Sequence, residues 1–252
     1  DHRDLHLSLR RQRQMCIRDS HISNIKNCEV VVYSSAVSNE NVELIEAVKR
    51  NIPIIKRAEM LGELVALKQT SIAIGGTHGK TSTSSMIGAL LSEGKLDPTL
   101  IVGGLVQNLD TNSKLGNGDL IVVEADEYDK SFLQIKPTIA IITNIEKEHM
   151  DCYKNLEDLK SSFIQFANSV PFYGAVIACI DSPEVQKMLH LVKRPITTYG
   201  LSLQAEISAK NIRYHGENTS YSLYKNNKKI GIVSLNVPGE HNVLNSLAAA
   251  AI

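Results

Sequence analysis

Lys80 and Thr81 follow the run Gly75-Gly76-Thr77-His78-Gly79, directly after the apolar stretch Ser71 to Ile74 and directly before an amphipathic helical pattern. A strand that stops at glycines, a tight loop and a helix start together suit a triphosphate. Loop amides and the positive end of the helix face the anion, and glycine lets the main chain come close. In that arrangement Lys80 reaches the β- and γ-phosphates, and the Thr81 hydroxyl binds the magnesium that accompanies them. The match to the general pattern G-x-x-x-x-G-K-[ST] is incomplete, because its first glycine falls at Ile74. A strand-to-helix turn without a ligand is the plainer alternative. The position between a predicted strand and a predicted helix favours nucleotide binding.

Three further segments carry groups that could act on such a ligand. Leu120 to Val123 runs straight into Glu124, Asp126, Glu127 and Asp129. A carboxylate at the end of a core strand can hold magnesium at a phosphate site, and Glu124 is the candidate; a solvated acidic loop is the alternative. In Thr143 to Asp151, His149 could be a metal ligand whose tautomer Glu148 or Asp151 would fix, although a single histidine is as readily structural. In Gly239 to Asn245, Asn242 and Asn245 stand three apart and share a helix face. Paired amides there could read a purine edge, or Asn242 could simply cap the helix.

The elements that must position these groups alternate. Glu29 to Tyr33 and Ile52 to Ile55 read as strands, with helices over Asn41 to Arg50 and Ala58 to Lys68. A new unit begins with the Ile72 strand and the helix from Gly79 to about Ser92. Further strands are expected at Thr99 to Val102, Leu120 to Glu124, Ile139 to Thr143 and Ala175 to Cys179, with a helix over Leu156 to Asn168. The fold class is therefore α/β: a mostly parallel sheet flanked by helices, preceded by a partial Rossmann-like domain. Ligands of such sheets sit beyond the carboxyl ends of the strands, where Gly75, Glu124 and Thr143 all fall. Ile207 to Tyr214, Tyr221 to Lys225 and Lys229 to Leu235 read as a small antiparallel subsheet, with Asn226-Asn227 as a tight turn. A final helix is entered at His241 or Asn242.

Composition narrows the function classes. The chain has 252 residues, 43% hydrophobic and 21% charged, enough for one large or two ordinary domains with a sizeable core. Lys plus Arg and Asp plus Glu are 27 each, so no charge field points to nucleic acid or an anionic membrane. No tryptophan is present, and no aromatic platform for single-stranded bases is evident. Cys16, Cys28, Cys152 and Cys179 lack any C-x-x-C spacing, which argues against a zinc site or a disulfide framework. No apolar run approaches the roughly 20 residues of a membrane span. A soluble cytoplasmic protein is expected. Residues 1–20, Arg-rich and starting at Asp1, read as a tail outside the fold, natural or not.

Together, G-T-H-G-K-T at Gly76 to Thr81, E-A-D-E-Y-D at Glu124 to Asp129, T-N-I-E-x-E-H-M-D at Thr143 to Asp151 and G-E-H-N-V-L-N at Gly239 to Asn245 resemble the Mur ligases. These are ATP-dependent enzymes that build the peptide of bacterial cell-wall precursors, and the resemblance covers about Val30 to Ile252. With Tyr153 and V-P-F-Y-G at Val170 to Gly174, the motifs look most like the branch that adds L-alanine to UDP-N-acetylmuramate. The branch that reattaches recycled murein tripeptide to the same sugar nucleotide is the close runner-up. The resemblance implies ATP and magnesium as cofactors and an acyl phosphate as intermediate. It implies that Gly76, Thr77, His78, Gly79, Lys80 and Thr81 form the phosphate loop, and that Lys80 contacts the γ-phosphate. Thr81 and Glu124 would hold a first magnesium, His149 a second, and Asn242 and Asn245 would face the adenine. His78 has no assigned chemistry beyond shaping the loop.

The resemblance has departures. Glu148 stands where the family more often has Asp, and Lys114 where relatives often have Arg, with the loss of a bidentate fork. Some members use a carbamylated lysine; no counterpart stands out, and Lys160 reads as solvated. The domain reading is residues 21–69 as the C-terminal half of the uridine-nucleotide domain and 70–252 as the central ATP-binding domain. The amino-acid-binding domain and the uridine-diphosphate loop are absent from that reading, so ATP binding without turnover is expected of this chain alone. A phosphate-loop kinase or GTPase is disfavoured because no N-K-x-D is present. A nucleotide-binding module without turnover remains the non-enzymatic alternative.

Overall fold

The computed structural model describes residues 20–106 and 111–252, so the N-terminal tail and Cys16 lie outside the described residues. The chain divides into two compact units, one running to Leu61 and the other from Gly62 to Ile252.

In the first unit, β1 (Val31–Tyr33) and β2 (Ile54–Lys56) pair in parallel with Val31 opposite Ile54. The helix Val42–Lys49 between them starts where Asn41 accepts a hydrogen bond from the Glu43 amide, and it buries Leu44 and Ala47. The helix Arg57–Ala66 follows β2 and spans the division between the units. The strand–helix–strand–helix order is as expected.

The second unit is built on one ten-stranded sheet. Its strands are β3 (Thr70–Gly75), β4 (Thr99–Val106), β5 (Thr111–Lys114), β6 (Leu120–Ala125), β7 (Ile139–Ile142), β8 (Ala175–Cys179), β9 (Ile196–Gly200), β10 (Ile207–His215), β11 (Asn218–Lys225) and β12 (Lys228–Leu235). The spatial order is β12-β11-β10-β9-β8-β7-β3-β6-β4-β5. All pairs from β4 to β10 in that order are parallel, and the β4–β5, β10–β11 and β11–β12 pairs are antiparallel. The expected antiparallel strands are therefore present and continue the main sheet through the β9–β10 pair. β9 was not foreseen, because Ile196-Thr-Thr-Tyr-Gly is short and carries little apolar signal. Asn226 and Asn227, at φ 50° and 63°, make the β11–β12 turn in the left-handed conformation such a hairpin needs.

Alternation along β3 sends side chains to both faces. Ile72 and Ile74 join Ile87 of the helix Lys80–Glu93 and Val243 and Leu247 of the helix Glu240–Ala250 in one apolar cluster. Val243 and Leu247 are fully buried, each stabilising by about 1.5–3 kcal/mol. On the other face, a Cβ at Gly75 would touch Phe166 at 3.3 Å and Phe163 at 3.4 Å, both on the helix Leu156–Ser169. These two rings pack on Phe132, with centroids 5.1 and 5.2 Å away. The last helix starts at Glu240, earlier than expected, because Gly239 at φ 101° turns the chain into it.

The register matters most for function. Gly75 lies opposite Ala125 on one side and Ile142 on the other. The exits of β3, β6 and β7 thus stand side by side at one rim.

Candidate active site

The loop after β3 is fastened to the exit of β7. The Thr77 amide donates to the Asn144 carbonyl (3.1 Å), and the His78 amide donates to Asn144 Oδ1 (2.8 Å). The Thr143 hydroxyl and Asn144 Nδ2 both donate to the His78 carbonyl, at 2.7 and 3.1 Å. The Glu146 amide donates to Thr77 Oγ1 at 2.9 Å. Two glycines make this close fit possible. Gly76, at φ 140°, has no room for a Cβ against Thr143 Oγ1, and a Cβ on Gly79, at φ 81°, would sit 2.5 Å from Asn245 Oδ1. Gly79 precedes the helix Lys80–Glu93 and offers it no side-chain cap, which leaves the first-turn amides suited to an anion.

Thr81 and Glu124 meet at the rim. Burial pushes the Glu124 carboxyl pKa up; hydrogen bonds from the Thr81 hydroxyl and the Gly103 amide, and the Lys80 charge, oppose the shift. Its Oε1 is buried without a hydrogen-bond partner among the described residues. A Cβ on Gly103 would lie 2.9 Å from Glu124 Oε2, and one on Gly104 would lie 3.3 Å from Thr81 Cγ2. Glycines there leave free the space over the two oxygen donors.

Lys80 is held by a residue the sequence reading passed over. Its Nζ donates to Glu127 Oε2 at 2.7 Å and to the Gly76 carbonyl at 2.6 Å. The Lys80 and Glu127 side chains are 16% and 2% exposed. Glu127 comes three residues after Glu124, in a run of four carboxylates that gives no sign of which one turns inward. Asp126 instead accepts the Tyr128 amide, and Asp129 and Lys130 adopt left-handed φ of 55° that turn the chain. The Tyr153 hydroxyl donates to the Glu127 carbonyl at 2.5 Å. Burial pushes the Tyr153 phenol pKa up.

His149 has a left-handed φ of 54°, and its ring meets Tyr128 edge to face with centroids 5.5 Å apart. Its Nε2 lies 3.7 Å from Glu127 Oε1. Of the two residues expected to orient His149, Glu148 is found elsewhere: its Oε1 lies 3.4 Å from Nε2 of His78, which also stands 3.6 Å from Glu146. These three side chains are about half exposed.

Asn242 and Asn245 share a face as expected, but much of their capacity is spent internally. Asn245, 7% exposed, accepts from the Thr83 hydroxyl at 3.3 Å, and its Nδ2 is 3.5 Å from Asn242 Oδ1. Asn242 is not the cap; it lies in the first turn and donates to the Pro238 carbonyl at 2.7 Å. Lys114 pairs with Asp97 at 3.2 Å. Lys160 is not solvated: it is 12% exposed, lies between Glu157 (2.5 Å) and Glu184 (3.0 Å), and hydrogen bonds to both push its pKa up. The missed signal was Glu184, which lies on the separate short helix Pro183–Met188.

Comparison with known proteins agrees with this architecture. The Mur ligase middle domain matches residues 74–252, and the Mur ligase family catalytic domain matches residues 15–69. A UDP-N-acetylmuramate–L-alanine ligase from Geotalea daltonii is 48% identical over 230 residues, 91% of this chain and 50% of that protein. The chain thus spans about half the length of the curated relatives it matches. The crystal structure of a UDP-N-acetylmuramate–alanine ligase from Thermotoga maritima superposes with a TM-score of 0.79 at 28% identity, covering 92% of this chain and 52% of that one. A UDP-N-acetylmuramate:L-alanyl-gamma-D-glutamyl-meso-diaminopimelate ligase from Neisseria meningitides shares the fold, with a TM-score of 0.80 at 23% identity, covering 92% of this chain and 76% of that one.

Proposed function

Because the chain belongs to the Mur ligase family, we propose that it is the ATP-binding part of a ligase that joins L-alanine to the lactyl carboxylate of UDP-N-acetylmuramate. ATP phosphorylates that carboxylate, the amine of L-alanine attacks the acyl phosphate, and the amide, ADP and phosphate leave, as a step of peptidoglycan precursor synthesis. The observation that carries this reading is the convergence of Lys80, Thr81, Glu124, Glu127 and His149 where β3, β6 and β7 end together. We read residues 21–69 as part of the uridine-nucleotide domain and 70–252 as the ATP-binding domain. The reading includes a cytoplasmic location for the reaction. Among the described residues no helix is long and apolar enough to cross a membrane.

The donors fit a hard cation. Glu124 Oε1 is buried without a partner among the described residues, beside the Thr81 hydroxyl, and glycines leave the space above them open. Thr81 and Glu124 would hold one magnesium ion and His149 a second. Bound there, magnesium supplies the positive charge that lets a triphosphate approach a carboxylate. The remaining work falls to the chain. Amides at the start of the helix Lys80–Glu93 bind the phosphates, and the loop keeps its shape through Thr143 and Asn144. Lys80, whose Nζ is held by the Gly76 and Thr77 carbonyls and by Glu127, would contact the γ-phosphate and stabilise charge as the phosphoryl group transfers. Asn245 lies against Gly79 of the loop, and with Asn242, on the same helix face, it would face the adenine.

The test is phosphate release by the protein extended to the length of its relatives, given ATP, magnesium and UDP-N-acetylmuramate. Release that requires L-alanine supports the reading. Release that requires murein tripeptide transfers it to the recycling ligase, and release indifferent to both refutes amide formation.

A further inference from the structure

A buried hydroxyl on the helix Lys80–Glu93 is spent on a distant partner. Ser84 turns its hydroxyl back to the Lys80 carbonyl at 2.8 Å, the usual choice for such a side chain inside a helix. Thr83, fully buried, does otherwise. Its hydroxyl reaches the helix Glu240–Ala250 and donates to Asn245 Oδ1 at 3.3 Å. That contact ends a one-way chain. The Pro238 carbonyl can only accept, so Asn242 turns its NH2 group to it, at 2.7 Å. Asn242 Oδ1 is thereby left for Asn245, which answers with its own NH2 group at 3.5 Å, the longest link. The Asn245 oxygen is then the atom that meets Thr83 and lies against Gly79, where a Cβ would sit 2.5 Å from it.

We propose that Thr83 is a positioning residue for base selection: its hydroxyl holds the Asn245 amide in the orientation that suits a 6-aminopurine. The inference rests on the reading of Asn242 and Asn245 as the residues that face the base. Among the described residues, these bonds take one N–H of Asn245 and one lone pair of its oxygen, leaving one of each. A donor beside an acceptor is the complement of the adenine edge, where N7 accepts and the 6-amino group donates. A 6-oxopurine presents two acceptors there, and one of them meets the Asn245 oxygen. Without the Thr83 hydroxyl, the amide is anchored on the Asn242 side alone, by its longest contact, and can turn. Thr83 also lies two residues after Thr81, so one helix sets both the phosphate ligands and the base reader.

The test is calorimetric binding of ATP, ITP and inorganic triphosphate to this chain with magnesium. Thr83→Val keeps the buried volume and deletes the donor; Thr83→Ala deletes it without pressing a methyl group on the amide. Each should cut the preference for ATP over ITP about tenfold, within the range that one bidentate amide–adenine pair discriminates. Thr83→Ser, which keeps the hydroxyl, should retain the preference. Asn245→Ala should lose it, and adding Thr83→Val to Asn245→Ala should lower it no further. A merely structural role for Thr83 would weaken all three ligands alike and leave the ATP-to-ITP ratio where it was. That result, with the preference lost in Asn245→Ala, overturns the inference and leaves the asparagines as base readers. If Asn245→Ala also keeps the preference, or the wild type has none, the reading of the asparagines falls and the inference with it.

Discussion

Replacing Lys80 by Met should destabilise the protein even with no nucleotide present. Lys80 is the cation paired with the Glu127 carboxylate at 2.7 Å, and that side chain is 2% exposed. Removing one member of a buried pair typically costs about 3–5 kcal/mol, because the other charge is left uncompensated. For a domain of this size that is a fall in melting temperature of roughly 6–20 °C. Denaturant unfolding of wild type, Lys80→Met, Glu127→Gln and the double variant makes the cycle. The double variant should recover most of the loss, since no buried charge remains. A Lys80→Met midpoint equal to wild type at pH 7 would refute the reasoning.

Three further outcomes follow from the same geometry. Glu124 has a raised folded-state pKa, so its contribution favours the fold below the unfolded glutamate value and is lost as pH rises through the folded one. Glu124→Gln should thus unfold no earlier than wild type at pH 7 without metal, yet lose the added stability that magnesium with ATP gives; melting curves with and without both would show it. Gly76→Ala must leave its left-handed φ or collide with Thr143, at about 1–3 kcal/mol, and should abolish nucleotide-induced stabilisation. Gly216, at φ 60° with nothing nearby, is the control: its Ala variant should lose only about 1 kcal/mol, and an equal loss at both positions would show that crowding is irrelevant. Tyr153→Phe keeps a buried ring and removes the donor to the Glu127 carbonyl, for an expected loss of about 1–2 kcal/mol in denaturant unfolding.

What could be read from the sequence divides by distance along the chain. The strands β3, β6, β7 and β8 are contiguous β-branched runs because both faces of a central parallel strand are covered, so burial is written locally. The loop from Gly76 to Thr81 was legible for a similar reason: its glycines, lysine and threonine are adjacent, and the strand and helix around it announce themselves. The meeting of Thr81 with Glu124 needed only the rule that ligands gather at the carboxyl ends of parallel strands. Pairings set by turns in three dimensions were not legible. Lys80 and Glu127 are 47 residues apart, and they meet because β3 and β6, which lead to them, pair side by side in the sheet. Lys160 looked solvated because its helix is amphipathic, but Glu184 on another helix draws it under cover. Glu148 turned to His78 because the loop and the β7 exit are laced together. In each case the residue types were visible and the partner was not. A buried charge must find its counter-charge wherever the fold brings one, and that constraint acts through space. The site is therefore richer than its motifs: Glu127, which no motif singled out, is the residue through which Lys80, Tyr153 and His149 are joined.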